Sequence, residues 1–389
     1  MVRVPVGWQH ALERDVRANA AYRLWSLESL PNRYRRSLEG LGVDPSTIFG
    51  FLVADAGSGL PDKVVDAAGA ALFSALQQPG RLPPSAHHRL AELVLDGVLE
   101  VDSREGFVCG PVAYETLTSE PEAPSASLDR LSRLSHAALA YAERLRLPDV
   151  HRVAARLYCY HRIPLSQRWI RAYPGRTAVL DLLRGSTLSR HWIALAEGEG
   201  TTHWLSWARR DDPRRSRAGQ LPYKLYVSPH VDALPDVLPA LVEALTAAGA
   251  SRFKVGADAS GLLRPDKIVV YLSDVRELES VAQAVEAVLD GVPPHGVPFS
   301  AELAGDGLLS WGGDPPEDTR PVGGRAESWR LWVCRRLAEH LAPAQLAPLH
   351  RTRPHNFALA RLALDGVDVR SFAPANLDAP HRREQFRVA

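Results

Sequence analysis

Lysine is almost missing from this chain. Of its 46 basic residues only Lys63, Lys224, Lys254 and Lys267 are lysine, and the rest are arginine. Cysteine is scarce as well. Cys109, Cys159 and Cys334 are far apart and odd in number, which argues against a disulfide framework or a thiolate metal site. Buried structural cysteines in a reducing cytoplasm are the expectation. No run of about 18 uncharged apolar residues occurs, so no membrane span is expected. Met1 to Trp8 lacks a basic stretch followed by an apolar one, and no secretory signal is expected there. Neither sign of charge dominates: 46 basic residues face 45 acidic ones, for a net charge of +1. That balance speaks against a general nucleic-acid binder. A kinase Gly-rich loop, an HRD-type catalytic loop and a DFG motif are all missing.

What is present is enough for two or three modest domains: 389 residues, 46% of them hydrophobic. Residues 1–118 read mostly helical, with helical spacing over Trp8–Leu41 and a second run over Leu60–Gln78 that places Pro61 in its first turn. Within Ser85–Pro111 a helix to Leu95 is followed by strands at Val98–Val101 and Phe107–Cys109. Helix then hairpin is the outline of a winged-helix module. Such modules bind DNA or clasp leader peptides, and a helix and hairpin with only a packing role fits equally well. A Ser/Pro/Glu-rich linker spans 117–126, at the start of a helical connector taken as 119–200, and helices follow it at Leu128–Arg146 and Val150–Tyr160. Thr187–Arg210 reads as two strands. Over 201–389, strands alternate with amphipathic helices: Tyr223–Ser228, Val231–Ala248, Arg252–Val255, Ile268–Ser273, then Asp274–Leu289 capped by Ser273 or Asp274. Helices at Glu327–Leu341 and Arg353–Leu364 follow. The expected class is α+β, a helical N-terminal region followed by an α/β domain.

Three of the four lysines fall between 224 and 267. Arginine is permanently charged, whereas lysine gives up its proton when its pKa is depressed. A lysine cluster in an arginine-rich chain therefore points to proton transfer and phosphate chemistry. The carrying residues are Lys224 and Ser228 on one strand, Phe253-Lys254-Val255, Arg264 ten residues on, and Lys267 through Tyr271. This order resembles the lyase domain of class III lanthipeptide synthetases and the phosphothreonine lyases of the OspF/SpvC type. It resembles most the standalone HopA-effector-type lyases of class V lanthipeptide and thioamitide pathways. The resemblance covers roughly residues 222–312.

The resemblance implies a phosphothreonine-lyase-like domain that removes phosphate from phospho-Ser or phospho-Thr, leaving dehydroalanine or dehydrobutyrine. Such an elimination needs a neutral amine to take the Cα proton, several cations around a phosphate of about −1.5 to −2 charge, and an acid for the leaving group. No metal or organic cofactor is required. Lys224 is implied as the base, with Lys254, Arg264 and Lys267 binding phosphate. Tyr226 stands where the families carry a histidine acid. It shares a strand face with Lys224, and His230 is a second candidate for the acid. Ser310 stands where an Arg is expected, so Arg320, Arg325 or Arg330 would supply that cation, and Tyr271 would line the pocket. The implied partners are a leader-bearing phosphorylated precursor peptide, a separate Ser/Thr kinase and a separate cyclase, with no nucleic acid and no membrane. Three rivals stand beside this reading: a silent pseudo-lyase that scaffolds a kinase or cyclase, an effector acting on host kinases, and a winged-helix regulator.

Overall fold

The computed structural model describes residues 14–31, 34, 45–80, 87–103, 106–118, 128–147, 149–183, 187–195, 203–211, 221–303, 305–316, 327–346, 353–375 and 377–380. The chain divides into two compact units. One gathers residues 1–126, 146–150 and 337–365; the other gathers 127–145, 151–336 and 366–389. Among the described residues no helix is long and apolar enough to cross a membrane.

The first unit is less helical than its sequence suggests. Val16–Ala18 (β1) and Tyr22–Ser26 (β2) are strands where a helix was expected over Trp8–Leu41. Long-range pairing overrides the local spacing: Val16 and Ala18 pair with Val101 and Leu99, and Tyr22–Ser26 pairs with Gly50–Ala54 (β3). Asn19 forms the corner between β1 and β2, accepting from the Ala21 amide and donating to the Gly97 carbonyl. Lys63–Val65 (β4) completes the β2-β3-β4 sheet. The second expected helix therefore starts not at Pro61 but at Ala67 (α1, Ala67–Ala75), where Asp66 accepts from the Gly69 amide. The helix-then-hairpin reading fits: His87–Leu95 (α2) precedes Leu99–Ser103 (β5) and Gly106–Cys109 (β6), and β1 pairs with β5 to make a three-stranded sheet. Gly110–Thr118 (α3) follows. Asp96 holds this unit together by pairing with Lys63 and Arg361. The 117–126 linker lies almost wholly outside the described residues.

The second unit is built on a seven-stranded sheet. Arg130–Leu145 (α4), Val150–Tyr158 (α5), Gln167–Ala172 (α6), Arg176–Leu182 (α7) and the turn Leu188–His191 (α8) lead into Trp192–Ala194 (β7) and Trp204–Arg209 (β8). Then come Tyr223–Val227 (β9), Leu234–Ala247 (α9), Arg252–Gly256 (β10), Ala259–Leu262 (α10), Ile268–Leu272 (β11), Val275–Val288 (α11), Ala301–Glu302 (β12) and Leu309–Gly312 (β13). The helix Trp329–Leu346 (α12) starts here and ends in the first unit. The strand order is β12-β13-β9-β11-β10-β8-β7, and every pairing is antiparallel. The alternation along the chain is thus real, but the sheet is that of an α+β protein and not the expected α/β one. Asp274 caps α11, accepting from the Glu277 amide.

The period of two along each strand divides the sheet into two faces. One carries Tyr223, Leu225, Val227, Phe253, Val255, Ile268, Val270 and Leu272, in one core with Leu238, Leu241, Leu278 and Val281 from α9 and α11. Phe253 stands at its centre, edge-on to Trp192 at 4.7 Å and stacked on Trp207 at 4.9 Å. The opposite face carries Lys224, Tyr226, Lys254 and Tyr271, although strands β9 and β11 are almost wholly buried. Phe253→Ala removes the ring on which two tryptophans rest. We expect it to lower unfolding stability by about 3–5 kcal/mol, measured by urea denaturation.

Candidate functional site

Strand register sets the polar face out as a grid. One row runs Gly312, Lys224, Tyr271, Arg252 across β13, β9, β11 and β10. The next runs Ser310, Tyr226, Val269, Lys254, Ser206 and continues onto β8. Paired residues on neighbouring strands project to the same side, so these side chains converge.

The segment after β10 adds an ion cluster at the edge of this face. Gly256 and Gly261 meet backbone to backbone; a Cβ on Gly256 would stand 2.4 Å from the Gly261 carbonyl carbon. Asp258 caps the short helix between them. The chain then turns through Arg264-Pro265-Asp266, where Ser228 fastens it by donating to the Pro265 carbonyl at 2.7 Å. Asp266 is buried, accepts hydrogen bonds from two nitrogens of Arg264 at 2.9 and 3.0 Å, and forms an ion pair with Arg330 at 2.8 Å. The Tyr158 hydroxyl donates to Asp266 at 3.1 Å and accepts from Arg264 at 2.5 Å. Burial alone would raise the Asp266 carboxyl, but the Arg330 and Arg264 guanidiniums hold it well below the usual carboxylate range. The phenol of Tyr158 is pushed up to about 12, chiefly by burial and then by Asp266.

The two lysines on the grid differ. Lys224 is 7% exposed, and its ammonium donates to the Gly313 carbonyl at 3.2 Å and pairs with Asp314. Among the described residues, Lys254 has no carboxylate within ion-pair distance. Its ammonium sits 4.3 Å from the centre of the Trp204 ring and 5.4 Å from that of Tyr271. Burial pushes Lys254 down to about 8; Asp266 opposes that and Arg264 adds to it.

Several expected site residues stand elsewhere or are engaged. Lys267 is fully buried, donating to the Pro229 carbonyl at 2.9 Å and bonding His295 Nδ1 at 2.8 Å, so it ties loops together and is closed to a phosphate. Burial pushes it down to about 7, and His295 down to about 3 with Lys267 adding to the effect. His295 in turn donates to the His161 carbonyl. His230 caps the turn at Val231–Ala233, its ring accepting from the Asp232 amide. Arg330 is 1% exposed and spent on Asp266, the Pro298 carbonyl and the Tyr158 carbonyl; it organises the site instead of binding phosphate. Ser310 is buried and accepts from Ser300. Arg320 and Arg325 lie outside the described residues.

Tyr226 and Arg264 remain on the face. The Tyr226 hydroxyl is buried with no hydrogen-bond partner among the described residues, and burial raises its pKa well above the usual phenol value. Sequence reasoning passed over Arg252, Asp266, Tyr158, Trp204 and Asp314. Arg252 was within reach, because it is two residues from Lys254 on one strand; its Nε is likewise buried without a partner. Among the described residues no group of three or more His, Cys, Asp or Glu side chains is placed to hold a metal ion.

Asp266→Asn leaves two guanidiniums without their anion and is expected to cost about 3–5 kcal/mol. The sign of its pH dependence follows from the depressed carboxyl. The contribution is full above the unfolded carboxyl pKa of about 4 and is lost as pH falls below it. In urea denaturation the gap between wild type and Asn variant should therefore narrow on going from pH 7 to pH 3.

No protein-family model matches the chain, and no curated protein matches it. Among solved structures it is similar to an effector protein from Pseudomonas syringae pv. syringae strain 61, with 15% identity and a TM-score of 0.40 over 63% of this chain and 99% of that one. It is more distantly similar to the type III effector and phosphothreonine lyase OspF from Shigella flexneri, with 11% identity and a TM-score of 0.28 over 44% of this chain and 90% of that one. SpvC from Salmonella matches with 10% identity and a TM-score of 0.29 over 53% of this chain and 98% of that one.

Proposed function

We propose that the polar face of the seven-stranded sheet binds a phosphorylated Ser or Thr of a peptide and eliminates its phosphate. The observation that carries this reading is Lys254. Burial lowers its amine to about 8, and it is seated on aromatic rings with no carboxylate within ion-pair distance among the described residues, in the same patch as Arg264, Arg252 and Lys224. The base role expected of Lys224 passes to Lys254. A base needs a lone pair free to take a proton, whereas the donors of Lys224 are committed to Asp314 and Gly313.

In this reading Lys254 removes the Cα proton. The electron pair forms the Cα–Cβ double bond, the Cβ–O bond breaks, and phosphate leaves with that bonding pair. Arg264, Arg252 and Lys224 offset the phosphate charge and the negative charge developing at the carbonyl. Tyr226 donates to the leaving oxygen, and its unpartnered hydroxyl is available for that bond. The chain carries no kinase signature, so the phosphate is installed by a separate kinase. The proposed substrate is a leader-bearing precursor peptide of a lanthipeptide-type or thioamitide-type pathway, with a separate cyclase downstream.

Tyr226 also favours a second reading. A phenol held well above its usual pKa is a poor acid, and a face that binds phosphopeptide without turnover would act as a scaffold.

Mass spectrometry of a leader-bearing phosphothreonine peptide incubated with the purified protein tests the proposal. Loss of one phosphoric acid is expected. Lys254→Met should slow it by about 10²–10⁴-fold, while Lys224→Met mainly raises KM. A peptide that binds and keeps its mass would establish the scaffold reading instead. Because the base acts as the neutral amine, kcat/KM should rise with pH through about 8 and then level off. Asp314→Asn frees Lys224 from its resident anion, and isothermal titration should show tighter binding of inorganic phosphate.

A further inference from the structure

A lysine base has two requirements that conflict. It must stay in one place, and it must not be held there by an anion, because an ion pair keeps it charged. Lys224 is paired with Asp314. Lys254 is seated differently. Its ammonium lies 4.3 Å from the Trp204 ring centre, and the Arg264 guanidinium lies 5.0 Å from the same ring. Trp204 reaches there because of the strand register. It pairs with Gly256, which has no side chain, and it sits diagonally from Lys254, which pairs with Ser206. The indole therefore spreads over β10 against both cations.

We propose that Trp204 is a positioning residue for the elimination, its indole keeping the Lys254 amine and the Arg264 guanidinium apart and fixed on the substrate face with no anion bound to the amine. This rests on Lys254 as the base. Ring faces attract an ammonium through their quadrupole and offer no lone pair to accept its proton, so they fix the group without committing it. The other charged and titratable groups around Lys254 are Arg264 and Asp266 from the segment before β11, Tyr271 on β11, Tyr226 on β9, Tyr158 on α5 and Arg252 on its own strand. Asp266 is already committed to Arg264, Arg330 and Tyr158, which leaves the indole as the nearest seat for the amine.

The test compares Trp204→Phe and Trp204→Leu with wild type. Leucine keeps an apolar cover but removes the ring's attraction for the ammonium, so the acid limb of the kcat/KM profile should move to lower pH by about half to one unit. Phenylalanine, a weaker ring, should fall between, and kcat should drop more with leucine. A merely structural role would lower stability and leave the limb in place, and that result would overturn the proposal. An equal shift with both variants would overturn it too. The pH dependence of Lys254 acylation by an amine-reactive reagent, read by peptide mass spectrometry, gives the same comparison without turnover. If wild type proves inactive, the lyase reading fails while a graded shift in acylation still supports the Trp204 seat. If the leucine variant does not fold, the phenylalanine variant alone decides by the same readout.

Discussion

The buried carboxylate of Asp266 is the interaction on which the second unit's polar face depends. It brings Arg264 from the loop before β11, Arg330 from α12 and Tyr158 from α5 to one point. Two guanidiniums side by side repel each other, and neither is tolerable in a dry interior without an anion. With Asp266 between them the trio keeps one net positive charge and a fixed geometry. Arg330 turns inward to hold the scaffold, while Arg264 lies against the Trp204 ring at the edge of the grid. The division of labour between two chemically identical side chains is set by where Asp266 sits.

The same principle separates the lysines. Lys224 and Lys254 stand on one face of the sheet and Lys267 directly before β11, and each has a different neighbour: a carboxylate, a pair of rings, and a histidine with a carbonyl. The first is paired with Asp314, the second has no carboxylate partner among the described residues, and the third is sealed in the interior. Residue type brought three cations to one region. Environment distributes the roles.

This is also where legibility in the sequence ends. Period-two alternation placed Lys224 with Tyr226, and helical spacing with an Asp cap placed α11, because both are local and repeat along the chain. Helix α2 and its hairpin were legible for the same reason. Three things were not. The β1 and β2 strands form through pairing with residues far along the chain, which no local window contains. The Asp314–Lys224 pair joins residues that only a β13–β9 ladder brings together. The capping role of His230 depends on which way one ring turns, and the burial of Lys267 on a loop that closes over it. Arg252 is the instructive miss: the alternation that found Lys254 also contained it, and attention to lysine alone passed over it.

Gly256 and Gly261 bring two stretches of backbone together with no side chain between them, at the step from β10 into the segment that carries Arg264 and Asp266. A Cβ at either position would push the two backbones apart and carry the Arg264 and Asp266 segment away from its place beside the sheet.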